Sequence, residues 1–169
     1  MVKPYRIAVT GHRNLGDEPT VQFVTQAFHD ILAQAQREYT EGVVALSGLA
    51  EGADTLFAEA ALELGIPIEA VIAYQGFIED FPPGPARERY QNLLAKCQFV
   101  HQLPYRERSD EAYLAAGHWL VDHCDLLVAA WNGESAAGKG GTGDVVLYAL
   151  QKGRLIEHIH TIEHIIRRI

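Results

Sequence analysis

A three-layer α/β sandwich, with a mostly parallel central sheet covered by helices on both faces, is the fold class this sequence predicts. Two observations carry that expectation. Short apolar or β-branched runs alternate along the chain with longer segments of helical period, the pattern of parallel strands buried between helices. Several of those runs end abruptly in small residues that open a helix, most clearly from Val43-Val44-Ala45-Leu46 into Ser47-Gly48-Leu49-Ala50-Glu51-Gly52-Ala53-Asp54. Such junctions let main-chain amides come close to a bound group.

The elements follow in order. Arg6 to Thr10 reads as the first strand, and the next helix begins near Asp17 and Pro19, a cap and a residue suited to the first turn. Val21, Val24, Phe28, Ile31 and Leu32 then share one face. Val43 to Leu46 forms the second strand, and a helix from about Ala53 to Leu64 stops at Gly65, where a left-handed residue is wanted. Pro67 to Ala73 is the third strand. From Tyr74 to Pro85 the density of Gly and Pro excludes regular structure and predicts a surface loop beside the strand ends. A helix from Ala86 to Cys97, a strand from Phe99 to Leu103, a helix from Ser109 to His123 and a strand from Leu126 to Ala130 come next. Gly133 to Gly143 is loop, Asp144 to Lys152 helix, and Leu155 to His160 the last strand. Neither repeat nor linker divides the 169 residues, so residues 1–169 are expected to form a single domain.

Composition narrows the partners. Asp and Glu number 22 against 14 Lys and Arg, a formal charge of -8 and a pI near 5.4, the wrong sign for broad capture of nucleic acid. Cys97 and Cys124 have no metal-type spacing and read as two buried thiols. No signal-like N-terminal segment or membrane-length apolar run occurs, and a cytoplasmic protein is expected. His158, His160 and His164 cluster near the C-terminus, but no spacing supplies a further ligand, and no metal site is expected. Without a G-x-S-x-G elbow, Cys-His signature or full Walker loop, nucleophilic catalysis and nucleotide hydrolysis lack a motif.

In an open parallel sheet the ligand crevice lies outside the carboxyl ends of the strands. The junctions Thr10-Gly11-His12-Arg13, Ser47-Gly48 and Asn132-Gly133, together with Gly140-Gly141-Thr142-Gly143, therefore converge on one pocket although far apart in sequence. The helix after Gly143 offers unpaired N–H groups to a phosphate, Thr10, Ser47 and Thr142 add hydroxyls, and Arg13 supplies a charged fork. His12, Arg13 and Lys139 are either ligand contacts or solvated loop residues. Asp54 either supports the start of its helix or reaches a ribose hydroxyl or a water, and Asp144 either caps its helix or acts as a catalytic carboxyl. Tyr74 and Trp131 each follow a strand, as core-edge aromatics or as a stacking surface for a base. Arg87, on the helix after the Pro-rich loop, closes over a phosphate or lies on a solvated face.

The block Ser47 to Asp54, with Gly65 ahead of a strand and Phe81-Pro82 beyond it, resembles the SGLARGID block of the DNA-processing proteins. Gly140-Gly141-Thr142-Gly143 is similar to the GGxGT loop of the lysine-decarboxylase-like "lonely guy" phosphoribohydrolases. Both belong to a Rossmann-like nucleotide-binding superfamily that also includes molybdenum cofactor carriers and small members opening with a Thr-Gly-His-Arg turn. The resemblance runs from Arg6 to about Gly153. It implies a three-layer Rossmann-like sandwich that takes a nucleotide, or a nucleotide-derived phosphorylated molecule such as a molybdopterin-type ligand, and that associates as a homo-oligomer. It also implies two alternatives, an N-glycosidase acting on nucleoside 5′-monophosphates and a module for single-stranded DNA. Two departures weigh against these. Val146 and Leu147 stand where the phosphoribohydrolases carry glutamates, and Glu51 replaces the arginine of the DNA-processing block.

Overall fold

A computed structural model describes residues 3–136 and 138–169. Seven strands form one sheet in the order β4-β3-β2-β1-β5-β6-β7, where β1 is Tyr5–Gly11, β2 Val43–Ser47, β3 Ile68–Ile72, β4 Phe99–Gln102, β5 Leu126–Trp131, β6 Leu155–His160 and β7 Ile165–Arg168. All neighbours run parallel except β6 and β7. The helices are α1 Glu18–Glu38, α2 Ala53–Glu63, α3 Pro85–Lys96, α4 Asp110–Asp122 and α5 Thr142–Gln151.

Right-handed crossovers place the helices. The chain steps outward from β1 to β4 through α1, α2 and α3, then returns through α4 to β5 and continues through α5 in the opposite direction, so the two sets of helices cover opposite faces. Contacts agree, since α1 packs on α2 and α4 on α5. The reversal falls between β1 and β5, whose connections leave in opposite directions and open a crevice at their carboxyl ends.

Local chemistry fixes the element ends. The Asp17 carboxylate accepts from the Thr20 amide at 3.0 Å, the cap expected there, and Pro19 stands in the first turn of α1. Val24, Phe28 and Leu32 are buried, while Val21 and Ile31 pack at the edge of the same core. All five residues of β2 and of β3 are buried, as strands covered on both faces must be. Phe28 and Phe57 meet edge to face at 5.4 Å beneath the sheet.

The structure corrects several sequence expectations. The segment from Tyr74 to Pro85 holds a 3₁₀ turn, Phe77–Asp80, entered through Gly76 in the left-handed region at φ +80°. Phe77 and Phe81 anchor it against Tyr90, and that aromatic packing outweighs the local Gly and Pro signal. A seventh strand, β7, pairs antiparallel with β6 through His160 opposite Ile165. Its four residues are all exposed, so it lacked the buried alternation that marks a strand in sequence. The helix of the Gly-rich loop starts at Thr142 rather than Asp144. Cys124 is buried but Cys97 is only half-buried, with its thiol donating to the Leu93 carbonyl.

Candidate functional site

A cleft of about 680 Å³ opens at the carboxyl ends of the strands, within the range of small-molecule sites. Three junctions that are distant in sequence meet there. After β1 come Thr10, Gly11, His12 and Arg13; after β2 come Gly48, Ala50 and Asp54; after β5 come Trp131, Asn132 and the loop through Lys139, Gly140, Gly141, Thr142 and Gly143. The glycines at these junctions answer to close packing. A Cβ on Gly11 would lie 2.5 Å from the Ala53 Cβ, and one on Gly52, at φ +82°, 2.2 Å from the Arg13 carbonyl. The start of α2 is thereby pressed against the loop after β1, and the Ala53 amide donates to the His12 carbonyl at 3.1 Å. Leu49 takes a left-handed φ of +56° while fully buried, a strained conformation for a branched side chain that its packing holds in place.

The loop before α5 is tied at its far end. The Asp144 carboxylate accepts from the Gly140 amide at 2.9 Å, which is the capping alternative, and Asp144 does not line the cleft. Among the described residues nothing accepts from the Thr142 and Gly143 amides, which open α5. Val146 is buried and Leu147 exposed, so no carboxylate stands on the first turns of α5 beyond Asp144. His12 accepts the Asn132 amide on Nε2 at 3.2 Å; in the neutral ring this leaves the proton on Nδ1.

Other predicted residues fall outside the cleft. Ser47 is fully buried, its hydroxyl donating to the Asp54 carbonyl and accepting from the Leu49 amide. That corrects its expected hydroxyl contact with a phosphate: both of its hydrogen bonds shape the turn. Tyr74 is buried and gives its hydroxyl to Asp80, which removes it as a stacking surface. Arg87 clamps the preceding loop through the Phe81 carbonyl at 2.8 and 3.0 Å. Gly133 turns away toward His158 and His160. Trp131 does line the cleft, with its indole N–H fastened to the Glu134 carbonyl at 2.7 Å.

A buried acidic hub was missed by sequence reasoning. Asp80 ends the 3₁₀ turn with its side chain 5% exposed and accepts from the hydroxyls of Tyr74 and Tyr113. Arg13 at 3.3 Å and Arg108 at 3.6 Å complete its partners, and both guanidinium groups also lie over the Tyr113 ring. Burial pushes the Asp80 carboxyl up, yet the two tyrosine hydrogen bonds and the two arginines outweigh it, and it is held below its ordinary value. No local motif surrounds Asp80, and its partners come from three other parts of the chain. Arg13, Arg108 and Tyr113 line the cleft, so the hub sets one wall.

Asp54 behaves oppositely. Its Oδ2 accepts from the Ala50 amide at 3.2 Å, and among the described residues Oδ1 has no hydrogen-bond partner. Burial raises it to about 7, opposed only weakly by the Ala50 amide and the charge of Arg13. A carboxyl that changes charge near neutrality therefore sits in the cleft.

No sequence-family profile and no curated protein matches this chain. Solved structures do. DNA processing protein A from Streptococcus pneumoniae superposes with a TM-score of 0.64 at 22% identity, over 92% of this chain and 50% of its own. The Helicobacter pylori protein of the same name, described by its single-stranded DNA binding mode, gives 0.63 at 15% identity over 90% and 64%. This chain has the Rossmann-like fold. The molybdenum cofactor binding protein from Rippkaea orientalis shares it, with a TM-score of 0.62 at 14% identity over 95% of this chain and 78% of that one. These are the kinds of protein that the Ser47 to Asp54 block and the superfamily resemblance pointed to, and the likeness is one of fold. The chain spans between half and two thirds of the length of the two DNA-processing proteins.

Proposed function

We propose that this protein binds a nucleotide or a nucleotide-derived phosphorylated molecule, with phosphate on the amides of Thr142 and Gly143 and the nucleoside near Gly11 and Gly48. One observation carries the reading: junctions after β1, β2 and β5 converge on a single cleft that combines open amides at the start of α5 with arginines on the facing wall. Helix-start amides favour an anion, and Arg13 and Arg108 offer charged forks to its oxygens. Thr10, His12, Asn132 and Lys139 complete the contacts in this reading, and Trp131 is the aromatic available to it. The binding partner named for the Rippkaea protein, a molybdenum cofactor, supports a small ligand in the same fold.

Thermal shift and calorimetry with AMP, GMP, ADP-ribose, cyclic nucleotides and molybdopterin test the reading, with stabilisation by at least one of them as the expected result. No response to any of them overturns it. The Helicobacter pylori neighbour favours a second reading, single-stranded DNA across the same arginines. It predicts salt-sensitive binding of an oligonucleotide, and the charge of -8 opposes it. Self-association is part of the proposal. Leu147 and Leu150, three residues apart on α5, are large apolar side chains left 55% and 49% exposed, and that helix face is the surface on which copies would meet.

A further inference from the structure

The deep part of the cleft differs from its mouth. Val9, Val71, Ala73, Phe77, Ala116 and Leu120 line it, all buried in the core. A sugar there would leave hydroxyls against apolar walls without partners, whereas a flat heterocycle would bury both faces. Beside the Thr10 hydroxyl, this lining holds one carboxyl, that of Asp54, whose Oδ1 has no partner among the described residues. Access to the other oxygen depends on the neighbouring residue being glycine: a Cβ on Gly48 would stand 3.1 Å from Oδ2. Oδ2 keeps a second lone pair beyond the one taken by the Ala50 amide. Both oxygens can thus accept from a group in the cleft.

We propose that Asp54 is the specificity-determining residue of this cleft and selects a guanine-type ring, whose ring N–H and exocyclic amino group present two adjacent donors to the two carboxylate oxygens. The inference rests on the nucleotide reading above and goes beyond it by naming the base. An ionised carboxylate is an acceptor only, so it complements a donor–donor edge and leaves an adenine ring nitrogen, itself an acceptor, unpaired. The Asn side chain is the opposite case, one acceptor beside one donor, and it complements xanthine, in which a carbonyl replaces the amino group.

Calorimetric titration of the full chain with GMP, IMP, XMP and AMP at pH 8 tests the assignment. GMP is expected to bind at least about tenfold more tightly than AMP, with IMP between them, the scale of a charge-assisted hydrogen bond. In Asp54→Asn, GMP should weaken about tenfold or more and XMP should become the preferred ligand, a gain that a merely damaged fold does not produce. Gly48→Ala, whose methyl would crowd Oδ2, should lower GMP affinity more than AMP affinity and so narrow the preference between them. Equal binding of GMP and AMP by the natural chain, or unchanged GMP preference in Asp54→Asn, overturns the base assignment and leaves the nucleotide reading standing. Failure of all four nucleotides to bind the natural chain removes the nucleotide reading and this inference together.

Discussion

Asp54 lines the cleft and Asp80 stands behind the arginines of its wall, and their protonation moves in opposite directions. Asp80 gathers two hydroxyl donors and two guanidinium groups and is held ionised. Asp54 has one amide and a more distant arginine charge, and burial raises it to about 7. Burial sets the cost of a charge, and the number of donors decides whether that cost is met. A carboxyl rich in donors holds structure; one with an unengaged oxygen is available to a ligand.

The largest effect expected from breaking this contrast is at Asp80. Asp80→Ala takes the acceptor from the Tyr74 and Tyr113 hydroxyls, while the exposed guanidinium groups of Arg13 and Arg108 return to water, and it should cost about 3–4 kcal/mol, read as a lowered urea midpoint. Because its folded-state value is depressed, the stabilisation from Asp80 is present above the ordinary carboxylate range and lost as pH falls through the depressed value. In Asp80→Ala the acid limb of the stability curve should flatten.

At Asp54 the sign reverses. A raised folded-state value means that the folded chain holds its proton longer than the unfolded chain, so stability declines as pH rises from about 4 to about 7. Asp54→Asn removes that penalty. It should raise stability at pH 8 by up to about 3 kcal/mol and leave it almost unchanged at pH 4, measured by thermal melts at both values. A stabilising substitution at a cleft residue is the signature of a position kept for binding.

The two sites share Arg13, so moving its loop should disturb both. Gly52→Ala places a methyl against the Arg13 and His12 carbonyls at a backbone angle that suits glycine, and a loss of about 2 kcal/mol is expected. Losing the Arg13 charge should raise both carboxyls, Asp80 toward its ordinary value and Asp54 further above it, visible in carboxyl NMR titrations. The smallest effect belongs to Asp144, a carboxylate with a plain structural task. Asp144→Ala frees the Gly140 amide and should cost about 1 kcal/mol by urea titration, with no effect on Asp54.

Much of the fold was legible because buried parallel strands announce themselves as continuous apolar runs and helices by period and caps, as at Asp17 and Pro19. The glycine junctions at Gly11, Gly48 and Gly140 to Gly143 were legible too, and the structure gathers them at one cleft. Residue roles within the junctions were less so. Ser47 and Tyr74 have the right chemistry and position along the chain, but their hydroxyls face inward to Asp54 and Asp80. Strand β7 stayed hidden because an exposed edge carries no burial pattern.

Sequence by itself determined the layers, the order of elements and the rim of the sheet where small residues collect, since these follow from local periodicity and backbone freedom. Only the tertiary structure decided which acidic residue is satisfied and which is not. Asp80 meets Arg13, Arg108 and Tyr113 across long stretches of chain as well as Tyr74 in its own loop, and Asp54 lies beneath the bare backbone of Gly48. The physical reason is that donor count and dielectric are properties of three-dimensional neighbours, which no window of adjacent residues records.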